Sequence, residues 1–120
     1  IDDGAVVAEA MRGVDVVYHL AGDAQLWARD PRRFDRINHL GTRAVLDAAK
    51  KAGVRRLVHC SSLTTLVGRA TPVGASAANE ETQIEPGDAL GPYPKSKALA
   101  ELAVTEAVSN GLDAVIAIPT

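Results

Sequence analysis

The sequence has little of several things, and each scarcity closes off a class of protein. It holds one cysteine, Cys60, which rules out an internal disulfide framework and a cysteine-rich metal site. A single thiol also fits a reducing, cytoplasmic compartment. No run of about 18 apolar residues occurs, so no membrane-spanning helix is expected. A basic excess is missing too: 13 Lys and Arg stand against 15 Asp and Glu, for a net charge of -2. A nucleic-acid surface would need a basic stripe, so nucleic acid is not an expected partner. The opening "IDDGAVVAEAM" does not start with Met and has neither the basic nor the apolar segment of a signal peptide. Starting at Ile and stopping at "AIPT" directly after an apolar run, the 120 residues are expected to be a segment of a longer chain. What remains, 47% apolar with 10 Gly and 6 Pro, is ordinary globular composition for one compact unit.

One pattern occurs three times: an apolar-periodic stretch, a glycine, then a run rich in Val, Ile and Leu. The junctions are Met11-Arg12-Gly13-Val14-Asp15, Lys51-Ala52-Gly53-Val54-Arg55 and Ser109-Asn110-Gly111-Leu112-Asp113. Glycine just past a helix fits the left-handed position that ends it. The runs that follow, "VDVVYHLA", "RRLVHCSS" and "LDAVIAIP", have strand length and are nearly continuous in apolar residues, which suits strands buried on both faces of a parallel sheet. The spacing predicts a short helix over 3–12 capped by Asp2 or Asp3. It predicts a second from Phe34 to Lys51, with positions 34, 37, 41, 44, 45, 48, 49 and 52 on one face. A third should start near Pro92–Pro94 and run to about Ser109. Alternation of helix and strand with short links reads as α/β, a parallel sheet with right-handed crossovers. Three strands are a thin sheet for a domain, which again indicates an incomplete segment. Residues 63–91 form a stretch of irregular chain longer than the usual loop, a type that is generally functional or mobile.

In an open parallel sheet, ligands bind outside the C-terminal ends of the strands. "HLAG" (19–22), "HCSS" (59–62) and "PT" (119–120) occupy that edge, and the start of the third helix should rise from it. Within "GPYPKSKALAE", Tyr93 and Lys97 are four residues apart, on one helical face. A phenol beside an ammonium gives up its proton more readily, and can donate it to a carbonyl or take one from an alcohol. By spacing alone the simpler reading is a packed tyrosine and a solvated lysine.

The order of segments changes that balance. "GVDVVYHLAG", "DPRRFDRINHLGTRAVLDAAKKAGVRRLVHCSS" with Asn38, Gly41 and Thr42 in an N-x-x-G-T signature, "NEETQIEP" and "YPKSK" as Y-x-x-S-K follow one another. This series resembles the extended short-chain dehydrogenase/reductases, the NAD-dependent epimerase/dehydratase family, over nearly the whole chain. "AQLWARDP", "SSLTTLVG" and "IPT" are similar to its dihydroflavonol-reductase-like branch, including the hopanoid-associated sugar epimerases. The resemblance implies a Rossmann-type parallel sheet with flanking helices, here an incomplete three-strand, three-helix segment. Residues 1–120 would be the central part of an NAD(P)-binding domain, without the glycine-rich first strand or the C-terminal substrate domain. It implies Tyr93 as catalytic acid/base, Lys97 easing its ionisation and bonding the nicotinamide ribose, and Ser62 holding the substrate oxygen, with Ser61 the weaker candidate. Leu20, Ala21, Gly22, Pro119 and Thr120 would lie along the cofactor, with Tyr93 and Lys97. Asn38 would be a structural polar residue near the site or a helix-bonded amide.

The implied function is an NAD- or NADP-dependent oxidoreductase or epimerase acting on an alcohol/carbonyl pair of a small-molecule substrate, a homodimer at full length and inactive as this segment alone. Ketone reduction and transient oxidation within an epimerisation use the same residues. The alternative is a nucleotide-binding regulatory or scaffold protein that has lost turnover; intact Ser62, Tyr93 and Lys97 count against it. His19, His39 and His59 are twenty residues apart and are not read as metal ligands. Cys60 is read as a small buried residue, Trp27 as a substrate-side wall or packing, and Arg29, Arg32 and Arg33 as a solvated loop and helix start. With sheet edge and apolar helix faces uncovered, the isolated segment is expected to self-associate.

Overall fold

The computed structural model describes all residues except 2, 26, 73, 75–77, 80 and 120. Helix α1 (Gly4–Ala10) begins where the Asp3 side chain accepts from the backbone N–H of Ala5 and Val6, which makes Asp3 the cap; Asp2 lies outside the described residues. After the turn at Gly13, β1 spans Val16–His19. Three consecutive helical stretches follow without a break and are together called α2: Arg32–Phe34 (α), Asp35–Leu40 (π) and Gly41–Ala52 (α). Strand β2 is Arg56–Cys60, a single 3-10 turn covers Leu63–Thr65, α3 is Pro92–Ser109 and β3 is Ala114–Ala117.

Both long helices end as their glycines dictate. At Gly53 (φ 72°) and Gly111 (φ 90°) the backbone turns left-handed. The following residue then reaches back into the last turn: Val54 N–H to Ala49 O at 3.0 Å, Leu112 N–H to Ala107 O at 3.0 Å. Each such stop leads directly into a strand. The three strands are parallel in the order β1-β2-β3, with Val17 opposite Leu57 and Leu57 opposite Ala114.

Two expectations are corrected. The strands are not buried on both faces. Leu57 and His59 are buried, whereas Tyr18 and Val115, which point the other way, are 69% and 43% exposed. The helices cover one face, and alternation in the strands reads that face alone. The buried stripe of α2 keeps the helical period but not the expected membership: Phe34, Asn38, Gly41, Thr42, Val45, Leu46, Ala48 and Ala49 are buried, Ile37 and Ala44 only partly, and Ala52 is exposed. In the π stretch the Gly41 N–H bonds Arg36 O five residues back.

The long stretch between β2 and α3 is pinched at its base. Gly68 and Ala89 form an antiparallel bridge, and the Ala70 N–H donates to the Asp88 carboxylate at 3.1 Å. A side chain at Gly68 would run into that carboxylate.

Candidate active site

The first turn of α3 rises from the C-terminal edge of the sheet, because Pro92 and Pro94 need no helical partner for their nitrogens there. This places Tyr93 and Lys97 one turn apart on a single face. A cleft of about 120 Å³ lies against them, lined also by Leu20, Gly22, Asp23, Ala24, Asn38, Cys60 and Ser61. The ends of β1 and β2 and the start of α3 therefore meet at one place. Tyr93 is half-buried, its ring edge-on to Phe34 with centroids 6.1 Å apart.

Lys97 is buried, with 7% of its surface exposed, and its Nζ donates to Cys60 O at 2.6 Å. Burial pushes its pKa down; Cys60 and the Glu101 carboxylate act in the opposite direction. Asn38 closes the floor. Its Oδ1 accepts from Asp23 N–H at 2.7 Å, and its Nδ2 donates to Asp23 O and to Ser96 Oγ, each at 3.0 Å. The Ser96 hydroxyl in turn donates to Tyr93 O at 2.7 Å. One amide thus ties the segment after β1 to the turn that carries Tyr93. Asp23 also faces Arg33 Nε at 2.5 Å as an ion pair, with Oδ2 making no aligned hydrogen bond.

The two serines after β2 are used differently. Ser61 Oγ donates to Glu101 Oε1 on α3, and Thr65 Oγ1 lies 2.7 Å from the same oxygen. Ser62 is half-buried and does not line the cleft. Its Oγ caps the 3-10 turn, accepting from Thr64 N–H at 3.3 Å and from Thr64 Oγ1 at 3.0 Å.

Of the residues singled out in the sequence, Leu20, Gly22, Asn38, Cys60, Ser61, Tyr93 and Lys97 line the cleft. Ala21 and Pro119 are exposed beside the same edge, and Thr120 lies outside the described residues. Trp27 is 75% exposed, so it is no packing residue within this chain. Cys60 is half-buried and borders the cleft rather than sitting in the core. Arg32 pairs with Asp30 in solvent, but Arg33 is drawn to Asp23 and is not simply solvated. Asp23 and Glu101 were missed. Asp23 directly follows "HLAG", and Glu101 stands four residues beyond Lys97, which is the one local signal that could have found it.

His19 and His59 are 40 residues apart in sequence and yet register partners in the sheet, with ring centroids 5.2 Å apart. His19 Nε2 meets Thr42 Oγ1 at 2.8 Å, while neither ring nitrogen of His59 has a partner. Burial lowers their pKa values to about 4 and about 3, with the Lys97 charge adding to it. Among the described residues no third metal-ligating group joins them.

The profile of the family described as "NAD dependent epimerase/dehydratase family" matches residues 1–120, and the chain belongs to that family. It is 33% identical over 112 residues to a putative dihydroflavonol 4-reductase of Synechocystis, covering 93% of this chain and 32% of that protein. It is 38% identical over 104 residues to 3 beta-hydroxysteroid dehydrogenase type 7 of Rattus norvegicus, covering 84% and 30%. The fold matches a dTDP-glucose 4,6-dehydratase from Streptomyces venezuelae, solved with NAD bound, at a TM-score of 0.84 and 28% identity over 98% of this chain and 35% of that one. The chain thus spans about a third of the length of the relatives it matches. The sheet is of the Rossmann type, and the cofactor of the family is of the NAD kind.

The lining of the cleft is compatible with such a cofactor. Gly22 leaves the space where a Cβ would press on Asn38 Oδ1 at 3.2 Å, and a buried ammonium stands across from it. Lys97, Tyr93, Leu20 and Gly22 are the residues that would hold it. Among the described residues no helix is long and apolar enough to cross a membrane.

Proposed function

We propose that the full-length protein is a cytoplasmic, homodimeric NAD- or NADP-dependent oxidoreductase or epimerase acting on an alcohol/carbonyl pair, with residues 1–120 as the central part of its Rossmann domain. The observation that carries the reading is the convergence of Tyr93 and Lys97, one turn apart on α3, with the ends of β1 and β2 on a single cleft. A bound nicotinamide supplies or accepts the hydride. Tyr93 gives the proton to the oxygen of a carbonyl being reduced and takes it from an alcohol being oxidised. The Lys97 ammonium, one turn away, stabilises the phenolate left behind.

Ser62 is the candidate holder of the substrate oxygen, because the Ser61 proton is committed to Glu101; Ser62 follows Ser61 in the chain but stands outside the lining of the cleft. Leu20, Ala21, Gly22 and Pro119 line the approach of the cofactor along the strand ends.

The test is Tyr93→Phe in the full-length protein. Cofactor turnover is followed with a 3 beta-hydroxysteroid and NAD, or with a dihydroflavonol and NADPH, substrates named for the two relatives. Removal of the hydroxyl should lower kcat by about 100-fold or more with cofactor binding retained. An unchanged rate sinks the catalytic assignment.

A further inference from the structure

We propose that Glu101 is the positioning residue of this site: its carboxylate clamps the segment 61–65 onto α3 and places an anion one helical turn from the Lys97 ammonium. The proposal rests on the functional reading above. Its footing is the side-chain network behind the cleft.

Tyr93, Lys97 and Glu101 follow one another at four-residue steps, so they stack along one face of α3. Glu101 Oε1 receives the Ser61 hydroxyl and stands 2.7 Å from Thr65 Oγ1, whose proton is shared with Ser62 O at 2.8 Å. Ser61 and Thr65 are both buried, at 5% and 2% exposure. One residue earlier, Cys60 O receives Lys97 Nζ. Ser62 is therefore flanked on both sides by bonds to the same helix, and two of the three end on one carboxylate. Buried hydroxyls left without that acceptor would have to turn elsewhere, and the chain between them would move with them.

The second part is electrostatic. A buried ammonium tends to lose its proton, and an anion one turn away opposes that loss. Apart from Cys60, whose effect in this direction is the larger of the two, the histidines and Asp23 near Lys97 do not supply that charge. His19 and His59 are neutral in the alkaline range, where lysine titrates. Asp23, across the cleft, is held by Arg33. Cys60 contributes in the same direction as Glu101 from the end of β2.

The experiment uses full-length Glu101→Gln, Glu101→Ala and Lys97→Met proteins with NADH as the probe. Amide exchange of residues 61–65 should quicken by about 10-fold in Glu101→Ala and less in Glu101→Gln, which keeps an acceptor oxygen. NADH affinity should weaken as Lys97 loses its proton, and this alkaline limb should shift by about half a pH unit to lower pH in both Glu101 variants. A residue that merely stabilises the fold would lower Tm in Glu101→Ala and leave the limb in place. An unmoved limb, or exchange at 61–65 unchanged in Glu101→Ala, overturns the proposal. Lys97→Met separates the two levels of failure. If it abolishes the limb while the Glu101 variants leave it in place, only the role of Glu101 is wrong. If Lys97→Met leaves the limb intact, the reading of the site falls, and the proposal with it.

Discussion

Beneath the same sheet face lie two halves of opposite character. Under the first residues of the strands, Val7, Met11, Val45, Leu46, Ala49, Val54, Leu57, Val104 and Leu112 form a cluster with no polar member. Under the last residues, the buried set is His19, Asn38, Thr42, His59, Ser61, Thr65, Ser96 and Lys97. The first half is held by area removed from water, which needs no alignment. The second half must satisfy each donor and acceptor individually, and it does so through links between elements: Asn38 to Asp23 and Ser96, Lys97 to Cys60, Ser61 to Glu101. Among the described residues two groups depart from this: His59, with neither ring nitrogen hydrogen-bonded, and the buried Asp23 Oδ2, which is ion-paired with Arg33 but makes no hydrogen bond. The apolar half supplies stability, and the polar half spends part of it on a defined geometry at the strand ends, where the cleft lies.

Three changes would break or sharpen this contrast. The largest effect belongs to the apolar half. Leu57 is fully buried in the middle of the cluster, and Leu57→Ala should destabilise by about 2–5 kcal/mol in urea unfolding, through lost burial and the cavity left behind. A loss near zero would mean that the cluster carries little of the fold.

Acid acts next, and on the polar half alone. The folded pKa values of His19 and His59, about 4 and about 3, lie below the ordinary 6.5, so the unfolded chain binds more protons than the folded one as pH falls. Their contribution is fully present above pH 6.5 and is lost as pH drops from there toward 4 and then 3. Unfolding at a series of pH values should show this slope, and His59→Phe should flatten it. An equal slope in that variant would place the acid sensitivity elsewhere.

The smallest of the three is Asn38→Ala. It strands the Asp23 N–H and carbonyl in a buried site and removes the donor to the Ser96 oxygen, whose own bond to Tyr93 O remains, for a loss on the order of 1–3 kcal/mol. It should also loosen the turn bearing Tyr93, so that kcat falls by a larger factor than stability alone explains. A variant with full kcat would show that the clasp only stabilises.

The apolar half was almost wholly legible in the sequence. Val45, Ala48 and Ala49 fall on the predicted face of α2, and Gly53 and Gly111 stop their helices where the junctions said they would. The polar half was legible only where it lies within one element, as with Tyr93 and Lys97. Asn38 was noted as a polar residue of the N-x-x-G-T signature, but its three bonds reach Asp23 and Ser96, 15 and 58 residues away, and no local pattern marks those partners. Within residues 1–120 the helices cover one face of the strands, and Tyr18 and Val115 on the other face are exposed.

The sequence by itself determined the order and kind of the elements, their stops, and the phenol and ammonium on one helical face, because each of these follows from the period of a single segment. Only the tertiary structure decided that His19 meets His59, that Ser61 and Thr65 converge on Glu101 from 40 and 36 residues away, and that Asn38 reaches Ser96 across 58. Those meetings are set by the register of parallel strands and the roll of a helix. A one-residue slip in either would carry each side chain to another face, and no local run of sequence records it.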